Sequence, residues 1–180
     1  MGKKRKKQKK RQQQKFQNLF SDLIIAVDWS KGKKTMFGLV GTSQEKLPKL
    51  TSNAPWLKHI SESRNRRERR AYVEAFPKRF QRIRQDLNLV KITPKWQVSK
   101  TIIKEQNPKT LIVDDTIYYK YKVACELKTN IILESQAKKK PHLRTLSLIA
   151  DNIAYIAREE YEHSKTLEEV KRRLRKRGIL

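Results

Sequence analysis

The sequence predicts an α/β fold with a mixed sheet, in which an antiparallel hairpin is joined to parallel strands and flanked by helices. Apolar runs at 23–27 and 36–40, separated by a turn-like segment, are typical of a β-hairpin. Further along, a strand-like segment at 110–113, a helical segment at 118–127 and another strand-like segment at 130–133 have the spacing of a β-α-β unit. The two strands of such a unit run parallel, which accounts for the mixed sheet.

Apolar residues at three- and four-residue steps predict the helices. The longest spans 61–89, and Pro77 is expected to kink or divide it. Thr93 and Pro94 open a shorter helix that ends near Gln106. A long helix passes through 146–156, and a last helix begins with the capping box formed by Thr166 and Glu169.

Two features refine the predicted sheet. Gly38 lies inside the second strand, which indicates a bulge or another backbone passing close to it. A weaker signal for a third strand lies at 46–50. The chain has no internal repeat.

The charge of the chain points to a polyanionic partner. Lys and Arg number 44 against 18 Asp and Glu, which gives a net charge of +26. No run of 18 apolar residues is present to span a membrane and nothing resembles a signal peptide, so we expect a nucleic-acid partner. Cys125 is the only cysteine, which fits an intracellular protein of the cytoplasm or nucleoid, and the three histidines show no ligand spacing.

Three basic segments are candidates for gripping phosphates. The first 15 residues hold nine basic residues and no acid, so we expect a disordered arm that binds nucleic acid, with a localisation signal or a solubilising tail as the alternative. The long helix has an arginine-rich face, and a lysine run precedes the 146–156 helix. The predicted contacts are Lys3, Lys4, Arg5, Lys6, Lys7, Arg66, Arg67, Arg69, Arg70, Lys138, Lys139 and Lys140.

Four acids interrupt or end apolar runs: Asp28, Asp114, Asp115 and Asp151. A carboxylate buried against a core costs several kcal/mol unless it is paired or bound to a cation, and for any one of them a Lys or Arg partner is a sufficient explanation. If the strands ending in Asp28 and Asp115 are adjacent and parallel, their backbones lie about 4.8 Å apart at the carboxyl edge of the sheet. A divalent cation such as Mg²⁺ or Mn²⁺ would relieve the repulsion there, with Asp151 as a third ligand.

At these residues the sequence resembles the ribonuclease H-like superfamily, and within it most closely the Holliday-junction resolvases of the RuvC type. The matching motifs are a strand ending in an acid (24–28), a returning strand with an aromatic-Gly-aliphatic pattern (37–40), Asp115 with an aromatic at Tyr118, and the Ala-Asp-Asn-Ile-Ala segment 150–154. The resemblance covers about 23–161 in order and spacing.

The resemblance implies that Asp28, Asp115 and Asp151 are catalytic acids that bind the metal. A second acid one turn before the helical Asp is common in the resolvases, and here that position is Leu148. Asp114 or Glu134 would then compensate as a metal ligand. Glu62, Glu68 and Glu74 all compete as the counterpart of the helical Glu of ribonuclease H.

These observations predict three segments: a basic disordered tail at 1–20, a ribonuclease H-like domain at 21–163 and a basic C-terminal helix at 164–180. The predicted function is a metal-dependent endonuclease that cleaves branched or structured DNA or RNA, and a resolvase of this kind is expected to form a homodimer. The alternative is a non-catalytic DNA- or RNA-binding protein, associated with ribosomes or chromatin, on a degenerate nuclease fold.

Overall fold

A computed structural model describes residues 22–122 and 129–180. Its centre is a five-stranded mixed sheet with the order β3-β2-β1-β4-β5. The strands are β1 (Leu23–Lys31), β2 (Thr35–Ser43), β3 (Leu89–Thr93), β4 (Thr110–Val113) and β5 (Asn130–Leu133). β1 pairs antiparallel with β2 and parallel with β4, and β4 pairs parallel with β5, so the predicted fold class and the predicted adjacency of β1 and β4 are both confirmed.

Seven α-helices flank the sheet in the described residues. They are α1 (Leu47–Ser52), α2 (Arg66–Arg84), α3 (Trp96–Gln106), α4 (Tyr118–Lys122), α5 (Glu134–Ala137), α6 (Pro141–Glu162) and α7 (Leu167–Lys176). Short 3₁₀ turns at Gln44–Lys46 and Ile60–Glu62 precede α1 and α2. The basic tail, the end of the predicted 118–127 helix and Cys125 lie outside the described residues.

The alternation of β1 divides the core into two layers. Ile24 and Ala26 belong to the larger cluster, which α2, α6 and α7 cover. Ile25 and Val27 belong to a second cluster on the other face of the sheet, together with apolar residues of α3 and α4. Successive side chains of a strand point to opposite faces, so β1 is buried on both sides.

The third strand is not where the sequence signal placed it. Residues 46–50 form the end of a 3₁₀ turn and the start of α1, where Pro48 occupies the first turn and Leu47 and Leu50 are buried on one side. The strand beside β2 is β3 instead, a segment whose first residue the sequence analysis assigned to the end of the long helix. That helix, α2, already ends at Arg84.

Pro77 lies inside α2, which runs through it without dividing. Proline has no N–H, so the carbonyl of Val73, four residues earlier, loses its helical partner. The guanidinium of Arg177 donates to this carbonyl through Nη2 at 3.3 Å. The chain just after α7 therefore satisfies the carbonyl that Pro77 leaves free.

The C-terminal helix packs on the core of the domain. The Thr166 hydroxyl accepts from the Glu169 N–H at 3.2 Å, which confirms the predicted N-cap of α7. Val170, Leu174 and Ile179 are buried in the same cluster as α6.

Candidate active site

The carboxyl ends of the three parallel strands lie level with one another. Val27 of β1 pairs with Val113 of β4, which in turn pairs with Leu133 of β5. The residues that follow each of these three are acidic: Asp28, Asp114 and Glu134. In an open α/β sheet this is the edge at which ligands bind.

Helix α6 brings the fourth acid to the same edge. Gly38 is the cross-strand partner of Asp28, and a Cβ at Gly38 would lie 2.6 Å from the carbonyl oxygen of Ala150 and 2.8 Å from the nitrogen of Ala154. The absence of a side chain therefore lets the backbone of α6 approach β2 closely, as the sequence predicted for this glycine. Asp151 follows Ala150 and is placed beside Asp28.

Asp28 is buried, with 5 % of its surface exposed, and its Oδ1 accepts the N–H of Trp29 at 2.6 Å. Burial raises the pKa of Asp28 well above its usual range, and the negative charges of Asp151 and Glu134 raise it further. The Trp29 hydrogen bond opposes this rise, and Asp114 adds a smaller increase. Asp28 is therefore held in a pocket of negative charge with little water to screen it.

Asp151 has the same character. Its side chain is 14 % exposed, and its Oδ2 is buried with no hydrogen-bond partner. Burial raises the pKa of Asp151 to about 6, nearby His59 opposes the rise, and the charge of Glu134 adds to it. We refer to Asp28, Glu134 and Asp151 as the acid cluster.

Glu134 begins α5, and its side chain is 11 % exposed. The ammonium of Lys138, one turn later, lies 3.3 Å from Oε1 of Glu134. The first of the three predicted phosphate-gripping lysines is thus beside the acid cluster, whereas Lys139 and Lys140 are exposed just before α6.

Asp114 and Asp115 differ in what they contact. The Oδ1 of Asp115 accepts the N–H of Ser135 at 3.1 Å. Burial alone raises the pKa of Asp115, but the hydrogen bonds from Ser135 and the charge of Lys138 outweigh it and bring the pKa below its usual value. Asp114 accepts hydrogen bonds from the N–H and hydroxyl of Thr116, and it is Asp114 whose charge acts on Asp28.

The geometry therefore brings together Asp28, Asp151 and Glu134, with Asp114 at their side, and it turns Asp115 toward α5. The resemblance to the resolvases favoured Asp115 over Asp114, and that preference stays a prediction. The resemblance-based preference rested on the spacing to Tyr118. It carried no information on which acid continues the alternation of β4 after the strand ends at Val113.

His59 is the functional candidate that the sequence analysis missed. Its Nε2 lies 3.6 Å from Oδ2 of Asp151, and its Nδ1 lies 2.5 Å from the Ser61 hydroxyl oxygen. The side-chain amide of buried Asn152 donates to the carbonyl of Lys58 at 3.0 Å. This hydrogen bond holds the backbone just before His59 in place. His59 belongs to an irregular loop, so no periodic pattern in the sequence could have placed it beside Asp151.

A cleft of about 350 Å³ opens next to the acid cluster. Lys138 and Arg144 line it, together with His59, Ser61, Glu62 and Leu148, the residue one turn before Asp151, and Glu62 lies 3.9 Å from Arg144. A lysine and an arginine beside buried carboxylates would reduce the repulsion of an anionic substrate from this edge of the sheet.

The chemistry of the acid cluster fits a hard divalent cation. Its donors are all carboxylate oxygens, its negative charge is buried, and Oδ2 of Asp151 has no hydrogen-bond donor. Within residues 22–122 and 129–180, however, no three His, Cys, Asp or Glu side chains already stand close enough together to enclose a metal ion. The carboxylate oxygens are therefore the kind of ligand that a hard divalent cation prefers, but they do not already surround a position for one.

The four predicted arginines lie in the first turns of α2, well separated along the chain from the acids. Arg66, Arg67 and Arg70 are exposed and Arg69 is half-buried. The predicted tail contacts, Lys3 to Lys7, lie outside the described residues. Among the described helices, none is both long and apolar enough to cross a lipid bilayer.

The strand order, the mixed pairing and the helices on both faces define a ribonuclease H-like fold. The structure is similar to that of ribonuclease H2 from Pyrococcus horikoshii OT3, with a TM-score of 0.51 and 13 % identity over 87 % of this chain and 77 % of that one. It is also similar to ribonuclease HII from Archaeoglobus fulgidus, solved in a complex with PCNA, with a TM-score of 0.45 and 17 % identity over 87 % and 78 % of the two chains.

At these identities the likeness establishes the fold and nothing finer. No protein-family model matches the sequence, and no curated protein sequence matches it. The resemblance of the motifs to RuvC-type resolvases stays a prediction.

Proposed function

We propose that this protein is a divalent-metal-dependent endonuclease that acts on branched or structured nucleic acid. The observation that carries the proposal is the acid cluster: three carboxylates at the ligand-binding edge of the sheet, two of them with pKa values raised by burial and by the charge of Glu134. Buried negative charge lowers the stability of the fold, and 44 basic residues are present that could neutralise it. We therefore infer that the charge serves to bind a cation.

Asp28, Glu134 and Asp151 would hold the metal, with Asp114, whose charge also acts on Asp28, as a further carboxylate. A bound Mg²⁺ or Mn²⁺ supplies Lewis-acid activation of water and stabilises charge on the scissile phosphate. The residues of this chain do the rest. Lys138 and Arg144 attract the phosphate into the cleft, and Trp29 fixes the neighbouring loop by donating from Nε1 to the Thr116 hydroxyl at 3.2 Å.

The basic segments would grip the backbone without reading sequence, because phosphate contacts carry no base information. Branched or structured substrates suit a protein whose basic groups are spread over α2, the α5–α6 junction and the tail. A resolvase that cuts two strands symmetrically would act as a homodimer, which an equilibrium sedimentation measurement would test.

A panel of substrates tests the proposal. Purified protein is incubated with four-way junctions, flaps, RNA–DNA hybrids, structured RNA and linear duplex, with Mg²⁺, with Mn²⁺ and with chelator. We expect metal-dependent cleavage of at least one branched or structured substrate. Asp28→Asn should reduce the rate by more than about 100-fold while leaving binding intact, because removal of even a group that supports a metal ligand typically costs 10- to 100-fold.

Asp22→Asn is the matched control. Asp22 lies just before the opposite end of β1 and is exposed, and its salt bridge within residues 22–122 and 129–180 is with Lys109 at 3.2 Å, so the same chemical change there should leave cleavage unaltered. Undiminished cleavage by purified Asp28→Asn protein would end the nuclease proposal.

A non-catalytic nucleic-acid-binding protein is the second candidate. It is favoured by the fact that the acid side chains of the described residues do not already enclose a metal position. This candidate predicts tight binding to the same panel with no metal-dependent cleavage at any protein concentration.

A further inference from the structure

A second basic cavity, of about 680 Å³, lies between α2, α6 and α7. We call it the three-helix pocket. Five arginines line it: Arg66, Arg69 and Arg70 from α2, and Arg173 and Arg177 from α7 and the residue after it. The C-terminal helix, which the sequence analysis treated as a separate basic segment, therefore completes a cavity with the arginine-rich start of α2.

The acids in the three-helix pocket are already neutralised. Glu160 binds Arg177 at 2.8 Å and lies 3.6 Å from Arg173, and Glu159 pairs with Arg158. With five arginines and two glutamates, the formal charge of its lining is +3 without His163, which also lines it. Arg70 and Arg173 also pair with acids outside the pocket, Glu74 at 2.9 Å and Glu169 at 2.7 Å, so within the described part of the chain the positive charge that remains unpaired is that of Arg66 and Arg69.

Two of the arginines have capacity left for a ligand. Among the described residues, neither Arg66 nor Arg69 has a carboxylate within salt-bridge distance, and Nε of Arg69 is buried without a hydrogen-bond partner. A buried N–H of a charged group is costly to leave unbonded, and guanidinium groups match phosphate oxygens geometrically. A phosphate would satisfy both arginines.

The pocket continues from the acid cluster along the same helix. Asp151, Tyr155 and Glu159 follow each other at four-residue steps on α6, and all three are partly exposed. Tyr155 and Glu159 line the pocket, so its nearer wall begins about 6 Å along the helix axis from Asp151. A strand held at the acid cluster and running along α6 would enter it.

We propose that the three-helix pocket binds a backbone phosphate of the nucleic-acid strand whose neighbouring phosphate lies at the acid cluster. The proposal rests on the proposed function for the identity of the ligand, a phosphodiester of DNA or RNA. It assigns Arg66 and Arg69 as ligand-binding residues, whereas Arg173 of α7, which pairs with Glu169 and Glu160, forms part of the wall that encloses them.

Paired double variants test this assignment. Arg66→Gln/Arg69→Gln removes the two pocket arginines that have no carboxylate partner among the described residues. Lys78→Gln/Arg82→Gln removes the same charge from the same helix at exposed positions outside the pocket. Dissociation constants for a fluorescent four-way junction and a duplex are measured by anisotropy at several salt concentrations in chelator, so that no cleavage occurs.

We expect the pocket variant to bind more than about tenfold more weakly and to lower the slope of log affinity against log salt by about 1 to 2 relative to the control variant. Equal affinities and equal slopes for the two double variants would overturn the proposal. Thermal unfolding of both proteins checks that they are folded. If the pocket variant is unfolded, the exposed Arg66→Gln is compared with Arg82→Gln in the same way.

The readout separates this proposal from the nuclease proposal. Binding is measured without metal, so a protein that never cleaves can still show the difference between the two variants. Equal affinity of the two variants in a protein that cleaves normally would overturn the pocket proposal and leave the nuclease proposal standing.

Discussion

At the level of single residues, the candidate metal site consists of carboxylates that remain buried in a strongly basic protein. Asp28 is 5 % exposed and Oδ2 of Asp151 has no hydrogen-bond donor, although 44 cationic side chains are available elsewhere in the chain. Among the described residues, Lys138 is the lysine or arginine that forms a salt bridge with the acid cluster, and the His59 ring lies 3.6 Å from Asp151. The site therefore retains uncompensated negative charge.

The raised pKa of Asp151 gives a pH-dependent stability. Its pKa of about 6 in the folded protein exceeds the value of about 3.9 expected when unfolded, so the folded state binds more protons between these values. The free energy of unfolding of metal-free protein should therefore fall as the pH rises from about 4 to about 6. Asp151→Asn should raise it at pH 7 by about 2 kcal/mol and have little effect near pH 4.

Urea unfolding at several pH values in chelator measures this effect, with Asp22→Asn as the control. Parallel stability profiles for the wild type and Asp151→Asn would show that the Asp151 carboxylate is not destabilised in the folded protein.

Part of the candidate site could be predicted from the sequence. Asp28 and Asp151 interrupt apolar runs, and that pattern identified both. The choice between Asp114 and Asp115 could not be made, because the strand ends before them and its alternation no longer determines where each side chain points. His59 could not be found either, because it reaches Asp151 through tertiary contacts of an irregular loop.

At the scale of elements, α6 organises the site. It packs over β1 and β2, buries most of its apolar side, and carries Asp151 on the half-exposed stripe. Gly38 sets the distance between the helix and the sheet, since its backbone faces that of Ala150 and Ala154 directly. The position of Asp151 relative to Asp28 thus depends on a residue with no functional group.

Gly38→Ala should disturb this contact. The new Cβ would lie 2.6 Å from the Ala150 carbonyl oxygen, and backbone atoms cannot rotate away, so we expect a loss of about 1 to 3 kcal/mol in the free energy of unfolding and a fall in cleavage rate. Gly32→Ala is the control, because a Cβ there meets only the flexible side chains of Glu162 and Arg158. Equal stability and activity for the two variants would contradict the assigned role of Gly38.

The elements themselves were predictable to different degrees. Strands β1, β2, β4 and β5 were found because each is an apolar run bounded by turn residues. Strand β3 was missed because Leu87, which follows the end of α2, continues the three- and four-residue spacing of the helix and extended the predicted helix to Leu89, the first residue of the strand. Pro77 did not divide α2, because Arg177, 100 residues further along the chain, satisfies the freed carbonyl of Val73.

At the scale of the whole molecule, charge and fold carry different information. The ribonuclease H-like fold is established by the sheet order and by the structural comparison, and a fold of this kind does not by itself decide an activity. The net charge of +26 indicates a polyanionic partner and carries no information on chemistry. The proposed activity is inferred from the acid cluster, because neither the fold nor the net charge specifies a chemistry.

Deletion of residues 1–20 should weaken nucleic-acid binding in a salt-dependent manner. Nine basic residues are lost, so the slope of log affinity against log salt should become shallower by several units, while metal-dependent cleavage at low salt persists. Anisotropy titrations of full-length and truncated protein at about 50 to 200 mM salt, where the Debye length is on the order of 10 Å, make the comparison. An unchanged slope would exclude the tail as a phosphate-binding arm.

Calorimetric titration of Mn²⁺ and Mg²⁺ into the wild type, Asp28→Asn and Asp22→Asn is the most direct test of whether the acid cluster binds a divalent cation. The account predicts saturable binding to the wild type and to Asp22→Asn, and affinity reduced by more than about 10-fold in Asp28→Asn. The absence of saturable binding to the wild type, or equal affinity in all three proteins, would contradict the claim that the acid cluster binds a divalent cation.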